Sequence, residues 1–163
     1  MLYDVRLELH YDYEASVHGD RHLVRVTPVS IPQVQRVIAA SLSFDPKPEQ
    51  ESSFSDFFGN QVTTIAYSGH HDHLDVRLTA RIQVEDLHNP ADFSPTVAGL
   101  QQEIAAIWSI APDSPHHFLS ESPRVLIDPD ITAYARRSAD RTLSVQAAAM
   151  DLCLSIHRDF KYD

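Results

Sequence analysis

Ser55-Asp56-Phe57-Phe58-Gly59-Asn60-Gln61-Val62 brings two extended runs together at a turn. Gly59-Asn60 supplies the two residues that tolerate positive φ, as a tight hairpin requires. Phe57 and Phe58 are large enough to anchor the turn against a core. The flanking runs, Phe54–Phe58 and Gln61–Tyr67, read as the arms of an antiparallel hairpin.

Working upstream, Tyr3, Val5, Leu7, Leu9, Tyr11 and Tyr13 alternate with Asp4, Arg6, Glu8, His10 and Asp12. Period two over that length means a long strand with one face buried and one wet. Gly19-Asp20 breaks the run. His22–Thr27 is a second strand with Val24 and Val26 on one face, closed by Pro28 and Pro32. Gln35–Asp45 is a third, with Ile38, Ala40, Leu42 and Phe44 in phase. Pro46 and Pro48 end it, and Lys47–Ser53 reads as a polar loop. Downstream, Gly69–Asp72 is a turn. Leu74, Val76, Leu78, Ala80, Ile82 and Val84 then alternate with Asp75, Arg77, Thr79, Arg81 and Gln83 in a second long strand. Short connections without helices between them predict an antiparallel β-sandwich over residues 1–86.

After Val84 the period shifts toward 3.6. Asn89-Pro90 and Ser94-Pro95 are turn and helix-start signals, with Ser94 as N-cap and Pro95 at the first helical position. Val97, Leu100, Ile104, Ile107 and Trp108 share a stripe, although Gly99 costs that helix roughly 1 kcal/mol relative to Ala. Ala111–Val125 is an extended connector rich in Pro, Ser and His. Asp128-Pro129 opens a short helix, and Thr142 or Ser144 opens a longer one. In the longer one Val145, Ala149, Leu152, Ile156 and Phe160 share a face, and Arg158 and Lys161 sit in the last turn, where they suit the helix dipole. The fold class is therefore mainly β: an antiparallel β-sandwich followed by a helical C-terminal extension over 87–163, with helices near 95–108, 129–138 and 144–160. An isolated helix of the last one's length is marginal in water. A homodimer through the C-terminal helix is the simplest way to cover its stripe.

Charge narrows the function. Net charge is −10, from 23 acidic and 13 basic residues. A nucleic-acid binder needs a basic footprint, and anionic lipid would repel this chain, so neither is a partner. Ten histidines would offset much of the acidity once protonated. A single cysteine excludes an intrachain disulfide and fits a reducing, cytoplasmic setting. The N-terminus has no apolar signal core, and no run approaches the roughly 20 apolar residues of a membrane span.

Candidate chemistry is sparse. His70, His71, His73 and Asp75 form the densest group of ligand-type side chains. Alternation would put His71, His73 and Asp75 on one strand face, as a metal face requires. The glutamate and the second Gly/His motif that a cupin adds are missing, so the group reads as a solvated hairpin turn and neither metal nor cofactor is expected. His116-His117 lies in the connector and reads as surface. Cys153 sits mid-helix beside the apolar stripe and reads as a buried or half-buried structural thiol. His157, one turn on, could reach it, but that pair lacks an oxyanion site and an orienting third group. Glu85-Asp86 and Asp128/Asp130 read as surface or capping residues, and Tyr11 and Tyr13 as core-edge aromatics. No catalytic set assembles.

The order of features resembles the N-terminal region of bacterial transglutaminase-like proteins, a family associated with cysteine proteases. The matching stretches are the opening strand ending Tyr11-Asp12-Tyr13, then His22-Leu23-Val24-Arg25-Val26-Thr27-Pro28, then Phe44-Asp45-Pro46. Asp56-Phe57-Phe58-Gly59-Asn60, Ser122-Pro123-Arg124-Val125 and Ile156-His157-Arg158-Asp159-Phe160-Lys161-Tyr162-Asp163 follow. The resemblance implies a sandwich preceding a papain-like core with a Cys-His-Asp triad. It places the nucleophile on a helix beyond the equivalent of Phe160-Lys161-Tyr162-Asp163, so no triad position carries over and Cys153 does not match the nucleophile's context. The expected role is a non-catalytic N-terminal module, with the linker and first helix toward a catalytic core. It would position that downstream core or its protein or peptide substrate. The alternative is a free-standing β-sandwich binding module for glycan, peptide or metal. The amphipathic C-terminal helix favours the first, because a free module has no use for it.

Overall fold

Strands form wherever apolar and polar residues alternate, because only period two lets one sheet face meet a core while the other meets water. The structure, a computed structural model, describes residues 1–85 and 91–161. Asp86, the turn signal at Asn89-Pro90 and the terminal Tyr162-Asp163 fall outside the described residues. Contacts divide the chain into two compact units, Met1–His88 and Asn89–Asp163.

The first unit runs β1 (Leu2–Val17), β2 (Arg21–Val24), β3 (Gln35–Asp45), β4 (Gln50–Ser55), β5 (Gln61–Ala66) and β6 (His71–Val84). They form two antiparallel three-stranded sheets, ordered β1-β6-β3 and β2-β5-β4. The two central strands, β6 and β5, carry almost all the fully buried apolar side chains, because only a central strand has a neighbour on each edge. Val62 and Ile65 of β5 are completely shielded, and Leu74, Val76 and Leu78 of β6 nearly so. Ile65, Tyr67, Leu74 and Val76 make one cluster to which both sheets contribute, with Leu9, Tyr13, Val24, Val26, Leu42 and Phe44 packed around it. The mainly β, antiparallel two-sheet architecture expected from the alternation is the one observed.

Register explains the faces. Leu9 pairs with Val76 and Phe44 with Val76, so three strands send their apolar residues the same way. On the opposite face Asp4 pairs with Arg81, and their side chains make a bidentate ion pair at 2.7 and 2.9 Å. The expected in-phase row on β3 fails at Ile38. Val37 pairs with Ile82 and Ala39 with Arg81, so Ile38 is the extra residue of a bulge and stays exposed.

The hairpin also departs from expectation. The residues of Lys47–Ser53 are strand from Gln50 onward. They lack alternation because β4 is an edge strand exposed along its whole length. The connection spans Asp56–Asn60 and is organised by Asp56. Its backbone NH donates to the Asn60 carbonyl and its carbonyl accepts from Gly59 NH, both at 3.0 Å. Its carboxylate accepts from the backbone NH groups of Phe58 and Asn60. Gly59 alone takes positive φ, at 81°, and Asn60 does not. Phe57 and Phe58 meet edge to face but remain 56% and 51% exposed, so they do not anchor the turn in the core.

The second unit holds α1 (Leu100–Ala106), a 3-10 turn (Pro115–Phe118), α2 (Pro129–Arg136) and α3 (Val145–Asp159). Asp128 caps α2 by accepting from Asp130 and Ile131 NH, and Ser144 caps α3 by accepting from Ala147 NH. Ser94 does not cap α1, whose N-cap is Gly99. Its hydroxyl donates to Asp92 and accepts from Gln146 NH instead. Backbone bonds Val97 NH to Leu143 carbonyl and Val145 NH to Pro95 carbonyl tie the same segment to the start of α3. The half-buried face of α3 is Val145, Ala148, Leu152 and Ser155, rotated from the expected stripe, and Ile156 and Phe160 are left largely exposed. Among the described residues no helix is long and apolar enough to cross a membrane.

Candidate functional site

His71 lies where the pairing of β1 with β6 is irregular. Asp12 pairs with His73, but the next pair is Val17 with His71, so Tyr13–Ser16 bulge across Asp72 alone. Alternation along β6 breaks at the same point. Beyond it the even-numbered residues from Leu74 are buried, yet His71, an odd-numbered position, is buried too. A bulge that re-aims a side chain is a common device near a site.

Two further residues reach the same place from the other sheet. Gly19 takes φ 66° between β1 and β2, a conformation open to glycine, and delivers Asp20 just before β2. Tyr67 NH donates to the Asp20 carbonyl at 3.0 Å and fixes that backbone. His22, two residues on, shares the face with Asp20 and pairs with Ile65. Its Nε2 stands 2.5 Å from Asp20 Oδ2, and His71 Nε2 stands 3.5 Å from the same oxygen. One donor atom from each of Asp20, His22 and His71 can be chosen so that all lie within 4.8 Å of one another.

The surroundings are apolar. The Tyr67 ring lies 4.5 Å from the His71 ring, and Tyr13 meets it edge-on at 5.6 Å. Tyr67 donates its hydroxyl to the Pro46 carbonyl at 2.7 Å. Burial, with Asp20 next in weight, pushes the Tyr67 hydroxyl up to about 12. Burial and then Asp20 also raise Tyr13. Neither nitrogen of His71 has a hydrogen-bond partner, and neither has the buried Asp20 Oδ1. Leaving such a group unsatisfied costs about 1–3 kcal/mol, so these atoms call for an explanation.

The other expected candidates disperse. His71 is not part of a solvated turn, which corrects the expectation for it, and the expected common face of His71, His73 and Asp75 does not form. His73 and Asp75 lie on the outer face, where Asp75 bonds His10 and Arg77. The hydrogen bond to Asp75, with Asp12 next, holds His10 above the usual histidine range. His70 is exposed, with its ring 4.7 Å from that of His18. His116 and His117 are exposed and bond backbone carbonyls of Ile107, Ile110 and Ala111. Cys153 is exposed on α3, which corrects the expectation of a buried or half-buried thiol. His157 and Glu85 are exposed, Asp128 is a cap and Asp130 lies in the first turn of α2. Tyr13 is half-buried against the core, whereas Tyr11 is 49% exposed. Asp20 and His22 went unnoticed because they lie about fifty residues from His71. Their i, i+2 spacing at a strand start was the available signal.

Residues 3–83 match the family model described as the bacterial transglutaminase-like N-terminal region. That stretch of the β unit is similar to the family's N-terminal region. No curated protein and no solved structure gives a significant match. The matched stretch covers nearly all of the six strands and includes Asp20, His22 and His71.

Proposed function

We propose that this chain acts as a non-catalytic N-terminal module that positions a transglutaminase-like cysteine-protease core, or that core's protein substrate. The observation that carries the reading is the match of residues 3–83 to a region named for its N-terminal place in such proteins. The sole cysteine, Cys153, sits in the middle of α3 rather than at a helix N-terminus, where a nucleophilic cysteine is commonly activated. The single cysteine also suits a cytoplasmic setting.

A docking face is at hand in the β unit. β1 and β6 run well beyond the short strands of the second sheet. Tyr3 and Val5 share the face of Ile82 and Ala80, and are 48% and 39% exposed. Exposed apolar side chains on a rigid sheet suit a protein partner. Self-association through α3 is part of the same proposal, through Ile156 and Phe160.

The test is calorimetric titration of the purified chain with a separately purified transglutaminase-like core. Binding that weakens at least tenfold in Val5→Asp supports the reading. Absence of binding, or turnover of amine donors and glutamine peptides by this chain alone that Cys153→Ala abolishes, overturns it.

A further inference from the structure

We propose that Asp20, His22 and His71 form a binding site for one divalent transition-metal ion of the zinc class. Two imidazoles and one carboxylate are a donor set that zinc takes when it keeps a fourth position open to water or another ligand. The set is hard and soft enough for zinc, cobalt or nickel and poor for calcium or magnesium, which prefer oxygen throughout.

The argument starts from His71. Its side chain is only 5% exposed, and both ring nitrogens lack a hydrogen-bond partner. A buried imidazole normally spends at least one nitrogen on a partner. Here Nε2 faces Asp20 across 3.5 Å without making a hydrogen bond, and Asp20 Oδ1 is buried and empty as well. A proton shared between His22 and Asp20 satisfies their 2.5 Å contact and does nothing for His71 or for Oδ1. An ion between the three residues gives His71 Nε2 a partner and engages the Asp20 carboxylate, with His71 Nδ1 left as the ring N–H.

Geometry permits it. Tetrahedral zinc with bonds of about 2.0–2.2 Å holds its donors roughly 3.3–3.5 Å apart. The present separations, 2.5 and 3.5 Å within an overall spread of 4.8 Å, bracket that value. The Tyr13 and Tyr67 rings wall the inner side of His71. Asp20 also borders a surface hollow lined by Arg21, Glu49 and Ser68. The site would join the β1–β2 connection and β2 to the first residue of β6. Bound metal would therefore clamp one sheet to the other and stabilise the unit by mass action.

The experiment uses the full chain without a histidine tag. Zinc chloride is titrated by calorimetry, cobalt(II) by visible absorption, and melting is followed with and without zinc. The expected result is one ion per chain, an intense cobalt band of tetrahedral type and a higher melting temperature with zinc. His22→Gln and His71→Gln should each weaken zinc binding by at least about tenfold, while the surface variants His70→Gln and His73→Gln should leave it unchanged. If His71→Gln fails to fold by circular dichroism, the His22→Gln variant decides. The proposal is overturned if zinc does not bind stoichiometrically, if His22→Gln binds as tightly as the parent, or if His70→Gln or His73→Gln abolishes binding.

Discussion

His71 Nε2 lies 3.5 Å from Asp20 Oδ2 with the His71 side chain only 5% exposed, so a residue of one sheet meets the lead-in to the other inside the fold. Tyr67 covers the pair, its ring against His71 and its NH on the Asp20 carbonyl. That burial has a titration consequence. With its hydroxyl pushed up to about 12, folded Tyr67 keeps its proton where an unfolded tyrosine, near about pH 10, has lost it. The raised value means that its contribution is fully present below about pH 10 and is lost as pH rises toward about 12. Ultraviolet titration of phenolate should show late-titrating tyrosines with Tyr67 the last, because Tyr13 and Tyr134 are also raised, and Tyr67→Phe should remove the last step. A parent titration with no late tyrosine would contradict the burial argument.

Ile65 is the point at which the two sheets share a core. It is completely buried on β5 and clusters with Leu74 and Val76 of β6. Ile65→Ala should lower unfolding stability by about 2–5 kcal/mol, as deletion of a buried aliphatic group does. Leu23, 57% exposed on neighbouring β2, should tolerate alanine with a change within about 0.5 kcal/mol. Urea unfolding of both variants checks the contrast, and equal losses would refute it.

The hairpin prediction separates conformational cost from steric cost. Gly59 has φ 81°, yet nothing lies within 4 Å of where a Cβ would stand. Gly59→Ala should therefore cost roughly 1 kcal/mol through backbone strain alone. Gly59→Asn should cost less, because asparagine visits the left-handed region more readily. Alanine and asparagine variants of equal stability would count against this account.

Much of this was legible from residue order. Strict alternation over Tyr3–Tyr13 and Leu74–Val84 marks the two long strands, and Asp128-Pro129 marks a cap that the structure contains. β4 was hidden because an edge strand exposed on both faces has no reason to alternate. The Asp56 turn was misread because Gly-Asn suggests a two-residue loop, whereas one aspartate bonding the backbone of its successors builds a longer one. The Asp20–His22–His71 cluster was illegible for a different reason. His71 is buried where the β1–β6 register breaks, against the alternation that runs from Leu74 onward, and a break in register leaves no mark on composition.

Cys153 gives a reactivity test. Because it is exposed in the folded chain, a disulfide-exchange thiol reagent should label it to one equivalent without denaturant. Labelling should leave the circular dichroism spectrum unchanged. Labelling that waits for denaturant would restore the buried thiol that residue order suggests.

The last prediction concerns α3. Its N-terminal end is tied to the 92–98 segment: Ser144 donates to Asp92, Gln146 NH donates to Ser94, and Val145 NH donates to Pro95. Truncation at Arg141 would strip those partners, so point substitution is the cleaner probe. At the other end Phe160 meets Tyr134 edge to face at 5.5 Å, and the Tyr134 hydroxyl donates to Asp159 at 3.0 Å. Even so, Ile156 and Phe160 remain 47% and 61% exposed. Two copies pairing through this end would cover both residues about a two-fold axis. Sedimentation across micromolar concentrations should show dimer formation that Ile156→Glu removes while helix content is kept. A parent chain that stays monomeric throughout that range would show that these residues are ordinary exposed apolar surface. A dimer that survives Ile156→Glu would place the contact elsewhere.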